Sequence, residues 1–140
     1  MRTLSVIIFA LCVVCCGCKS SVSEQDCQSY DYTDCETTEP VAANLNIRLT
    51  INAENPWVPV SIYRGRVEDS VLVKYDSIKE EKYSVLMETG SYYSVVARYI
   101  SGDKIIYAIG GDKVSKSSQT TCDSICWTVT EGNVNVELKY

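Results

Sequence analysis

The chain has 140 residues and carries 13 Lys and Arg against 18 Asp and Glu, with no histidine, for a formal net charge of −5. That length suits one domain. Its acidity, with no cluster of basic residues to set against phosphates, excludes a nucleic-acid-binding surface. The lack of histidine removes the commonest general base, the usual catalytic triads and most zinc sites.

Residues 1–17 have the layout of a secretion signal. Arg2 supplies the positive start, and Leu4 to Cys16 run almost without polar interruption. The run has the length of a signal core and is short of the roughly 20 apolar residues that span a bilayer as a helix. Its end, "CCGCKSS", resembles the lipobox of bacterial lipoproteins, with Gly17-Cys18 as the best fit and Cys16 as the alternative. In that family the cysteine receives a diacylglyceryl thioether and fatty acids such as palmitate, and becomes the new N-terminus. Of the eight cysteines, a cut before Cys18 discards Cys12, Cys15 and Cys16; lipidation uses Cys18 and leaves Cys27, Cys35, Cys122 and Cys126. A cut before Cys16 would leave an odd thiol. Removing Arg2 makes the charge of the remaining chain 12 − 18 = −6.

Residues 18–43 are polar and acidic and read as a lipid-anchored flexible tether. The 25 residues after Cys18 would reach about 80–90 Å fully stretched and average about 25–30 Å as a coil. Tyr30 and Tyr32 read as solvated. From Asn44 the pattern has period two. "NLNIRLTINA" puts Leu45, Ile47, Leu49, Ile51 and Ala53 on one face, as in a half-buried strand. "ENP" breaks it. "VPVSIY" follows, with Val58, Val60 and Ile62 inward and Pro59 implying an edge position or bulge. After "RGR", "SVLVKYD" puts Val71, Val73 and Tyr75 inward.

In the second half, "KYSVLME" gives Tyr83, Val85 and Met87. "TGS" turns into "YYSVVARYI", with Tyr93, Val95, Ala97 and Tyr99 on one face. "SGDK" turns into "IIYAIGGD", after which "IGGDKVSKSS" reads as turn and loop because it lacks phosphate-loop spacing. "CWTVT" is a candidate short strand. "EGN" turns into "VNVELKY", with Val134, Val136, Leu138 and Tyr140 on one face and the C-terminus held in a sheet. Seven or eight short strands in 44–140, without a helical period, predict a single antiparallel β-sandwich.

The G-C lipobox, the tether and the stretches "LTINAENPWVPVSIY", "YYSVVARY", "YAIGGDKV" and "CDSICWTV...NVELKY" resemble a group of small cell-envelope lipoproteins of Bacteroidota-type bacteria. At fold level the sandwich resembles transthyretin- or immunoglobulin-like modules of fimbrial subunits and glycan-binding complexes. The resemblance implies an outer-membrane lipid anchor. Lys19 matches the first residue of a surface-export signal, but the acids arrive only at Glu24 and Asp26, so either face of the membrane stays open.

The chemistry-bearing candidates are few. Glu68-Asp69 and Glu80-Glu81 read as solvated turn charges rather than a glycosidase pair. No enzyme, metal or soluble cofactor is expected. The spacing of Cys27, Cys35, Cys122 and Cys126 fits zinc knuckles poorly, and export favours disulfides. Four cysteines allow three pairings. Cys122–Cys126 with Cys27–Cys35 is the expected set, Asp123-Ser124 supplying the turn; bonding the tether to the tail is the alternative. Trp57 and Trp127 are candidate ligand contacts, because aromatic side chains with polar tips are enriched at interfaces. The expected role is a non-enzymatic binding or accessory module with an envelope protein or a glycan as partner. The alternative is a structural subunit of a surface assembly such as a fimbria.

Overall fold

The computed structural model describes residues 27, 31–33, 35–69, 71–122 and 124–139. The chain divides into two compact units, Met1–Tyr30 and Asp31–Tyr140. The signal segment and Cys18 lie outside the described residues, as do Tyr30, Asp123 and Tyr140.

The second unit is a β-sandwich of eight strands: β1 Ala42–Arg48, β2 Val58–Arg64, β3 Leu72–Ile78, β4 Lys82–Glu88, β5 Ser91–Ser101, β6 Lys104–Thr121, β7 Ser124–Thr130 and β8 Gly132–Asn135. One sheet has the order β4-β1-β8 and the other β3-β2-β5-β6-β7. Every pairing is antiparallel except β8 with β1, which is parallel.

Period-two patterning builds the core. Leu45 and Ile47 of β1, Val85 and Met87 of β4 and Val134 of β8 lie in one cluster with Val58, Val60 and Ile62 of β2 and Tyr93, Val95, Ala97 and Tyr99 of β5. Burying a Val, Leu or Ile fully is worth about 1.5–3 kcal/mol, much of it offset by conformational entropy. The two core tyrosines keep their hydroxyls satisfied. Tyr93 donates to the Glu88 carbonyl at 3.1 Å. Tyr99, fully buried, donates to the Val136 carbonyl at 2.8 Å and accepts from the Thr50 N–H at 3.1 Å. That hydroxyl ties the end of β5 to the segments that follow β1 and β8. Gly90 and Gly102 have positive φ, 88° and 57°, which glycine adopts without a Cβ clash in the β4–β5 and β5–β6 turns.

Several expectations change. In β3 the faces are reversed: Val71, Val73 and Tyr75 are exposed, and Ile78 is buried. Register explains this, because Val58, Val60 and Ile62 pair with Ile78, Asp76 and Lys74. The core-side face of β3 is therefore partly charged. Asp76 accepts from the Tyr83 hydroxyl at 3.2 Å, and Lys74 lies 5.9 Å from the Tyr83 ring centroid. Inward charges on an edge strand also oppose edge-to-edge pairing. Pro59 does not mark an edge, since β2 lies between β3 and β5. It precedes Val60, where the β5 ladder starts, so its missing N–H costs that ladder nothing.

The Gly-Gly stretch is not a turn either. It lies inside β6, where a Cβ on Gly110 would come within 2.9 Å of Val134 and 3.1 Å of the Asn135 carbonyl. The glycine lets β8 pass close over β6. The C-terminal segment does pair at home, but in parallel with β1 and over only four residues. Two further bonds extend it: Val136 N–H to the Arg48 carbonyl at 3.0 Å and Leu138 N–H to Thr50 Oγ1 at 2.9 Å.

Candidate binding surfaces

The predicted tether does not run to residue 43. Asp31 onward belongs to the sandwich unit, and β1 starts at Ala42. A covalent bond is part of the reason. Cys35 bonds Cys126 across 91 residues of sequence, with Cα atoms 5.0 Å apart. This overturns the local pairing of Cys122 with Cys126 and of Cys27 with Cys35. The turn of the β6–β7 hairpin takes up Cys122, with φ 55°, while Cys126 stands inside β7 opposite Gln119. The strand segment from 124 to 126 carries Cys126 away from the turn. Cys122 is disulfide-bonded as well.

Around the bridge, the Trp127 N–H donates to the Glu36 carbonyl at 2.8 Å, adding an isolated rung to the outer edge of β7. Lys116 pairs with Glu39 at 2.6 Å and stands 5.8 Å from the Trp127 ring centroid. Trp127 is half-buried among these groups. The bond is the tether-to-tail alternative; the rung beside it leaves no periodic signal in the sequence.

Trp57 is 50% exposed and lies apart from Trp127, at the start of β2. Its loop is held by Asn55, a buried side chain that accepts from the Ile100 N–H at 2.8 Å and donates to the Ile100 carbonyl at 2.9 Å. Asn55 continues the ladder beside β5 where β2 has not yet begun. The indole borders a small hollow of about 100 Å³ shared with Glu54, Pro59, Arg98 and Ile100.

Trp57 is one corner of a larger surface, the outer face of the five-stranded sheet. Opposed residues of antiparallel strands point to the same face, so the register reads it directly. One row is Tyr75, Ser61, Val96 and Ile109. Beside it lie Arg98 with Tyr107, then Ile100 with Ile105. Tyr75 and Ile109 are each 62% exposed and Tyr107 59%. An open hollow of about 1040 Å³ lies at one end of this face, between Tyr92, Ser94, Ile109 and the 3-10 turn Val67–Asp69. The Glu68-Asp69 pair is part of that turn. Asp69 accepts from the Arg66 N–H at 2.9 Å, the bond of a turn cap. Among the described residues no group of His, Cys, Asp or Glu is placed to hold a metal ion.

Comparison with protein-family models, curated proteins and solved structures finds no match.

Proposed function

We propose that the chain is a non-enzymatic binding or accessory module of the cell envelope, held at the outer membrane by a lipid on Cys18. Its working surface is the outer face of the five-stranded sheet. The observation that carries this reading is the exposure of Leu72, Val73 and Tyr75 on β3 and of Ile105, Tyr107 and Ile109 on β6, joined across β2 and β5 by the row Tyr75, Ser61, Val96 and Ile109. Exposed apolar surface that continues across several strands marks an interaction site. Four of these six side chains are aliphatic and offer nothing to sugar hydroxyls, and Arg98 is the one charged group in the middle rows. A partner protein therefore fits this face better than a glycan.

Tyr75→Lys and Ile109→Lys test the surface. Both side chains are mostly exposed, so the variants are expected to fold like the parent while losing the protein recovered with the detergent-solubilised chain. Unchanged recovery in both variants would rule this face out.

A further inference from the structure

The outer face of the three-stranded sheet is of the opposite character. Ile47, Val85 and Val134 point into the core, so their neighbours Asn46, Arg48, Ser84, Lys82, Asn133 and Asn135 point outward. These six border a groove of about 560 Å³. Across it, Arg48 is directly opposite Lys82 on β4 and in register with Asn135 on β8. The next row is Ser84, Asn46 and Asn133.

Two like charges directly opposed on one sheet face are destabilising unless something of opposite sign joins them. Among the described residues no carboxylate pairs with either cation. Two nearby carboxylates bond asparagines of this sheet rather than either cation. Glu131 accepts from Asn44 at 2.8 Å and Asn46 at 2.9 Å, and these two donors hold its carboxyl below the usual glutamate range. Glu137 accepts from Asn135 at 2.8 Å. The bond to Glu131 fixes which way the Asn46 amide faces: its Nδ2 is used and its Oδ1 is left as an acceptor. The groove thus offers two cations, one amide acceptor and the Ser84 hydroxyl on a rigid strand frame.

We infer that this groove is a second binding site, separate from the aromatic face, and that it takes an acidic saccharide. A carboxylate bridges Arg48 and Lys82, and ring hydroxyls, which both donate and accept, match Asn46 and Ser84. Ile47 and Val134 also line the groove, but both are buried and offer a protein partner no protruding apolar anchor.

The test is a titration of the isotope-labelled full chain in a neutral detergent, followed by NMR, with trigalacturonate, maltotriose and sodium sulfate as separate probes. Trigalacturonate is expected to shift the amides of Asn46, Arg48, Lys82 and Asn135. Its affinity is expected to fall about tenfold or more in Lys82→Gln and in Arg48→Gln, and to fall with added salt. Lys82 and Arg48 are exposed, and an unchanged spectrum elsewhere checks that each variant is folded. Equal binding of maltotriose would overturn the anionic requirement. Equal binding of sulfate would overturn the saccharide. Shifts confined to Trp57 and Tyr107, or no shifts at all, would overturn the site.

Discussion

Tyr99→Phe removes one oxygen atom from the core and leaves two backbone groups without a partner. The Val136 carbonyl loses its 2.8 Å donor, and the Thr50 N–H loses its acceptor at 3.1 Å. An unsatisfied buried polar group costs about 1–3 kcal/mol. Thr50 is only part-buried and recovers some of its loss to water, so the expected destabilisation is about 2–4 kcal/mol. Urea unfolding measures it. With a slope of about 2 kcal/mol/M, the midpoint falls by about 1–2 M at unchanged slope. The variant also has a pH signature. Burial raises the Tyr99 hydroxyl above its ordinary pKa of 10.0; the Thr50 N–H opposes this and the Glu137 charge adds to it. The folded state therefore favours the protonated phenol. That stability is fully present below pH 10 and is lost as pH rises beyond it, through the folded pKa. Wild type is expected to lose more stability than Tyr99→Phe above pH 10. A midpoint change under about 0.3 M, or identical alkaline behaviour, would refute the argument that this hydroxyl locks the sheet ends.

The other predictions concern the clamp, a glycine and the anchor. Peptide mapping without reduction is expected to yield a crosslinked Cys35–Cys126 peptide. Replacing both residues by Ala should cost up to about 4–5 kcal/mol by loop entropy, less if another bridge closes an overlapping loop. A Cys122–Cys126 peptide would contradict the fold of the β6–β7 hairpin. Gly132→Ala places a Cβ 2.6 Å from Leu45 Cδ1 and 3.3 Å from Val114 Cγ2. Thermal unfolding should show a loss of about 1–3 kcal/mol from overpacking, and no loss would mean that β8 sits further from the core. Cys18→Ala should leave an unprocessed precursor without palmitate label, whereas full labelling would move the anchor to another cysteine.

The buried faces of β1, β2, β4 and β5 were legible because a half-buried strand writes its burial in alternate residues. Tyr93, Val95, Ala97 and Tyr99 are all buried as the pattern requires. The same rule failed at β3. "VLVKYDSI" is apolar at Val71, Val73 and Tyr75, yet an edge strand's facing is set by register with β2, not by its own hydrophobicity. The apolar residues it turns outward help make the surface proposed to bind. The Gly110-Gly111 pair looked like a turn because close strand passage and chain reversal call for the same residue. Cys35 pairs with Cys126 through a long-range approach that local spacing cannot encode. The opposed Arg48 and Lys82 were invisible for the same reason: they lie 34 positions apart and meet only through the β1–β4 register.

The central claim is that the outer face of the five-stranded sheet engages another protein while the chain is anchored at the envelope. Site-specific photocrosslinking in intact cells tests it most directly, with a benzophenone side chain replacing Ile109 in one variant and Leu86 in another. Leu86 is 66% exposed but belongs to the three-stranded sheet. The account predicts a discrete protein adduct from position 109 that disappears when Tyr75→Lys is added, and none from position 86. An adduct from position 86 alone, or none from position 109, would contradict it.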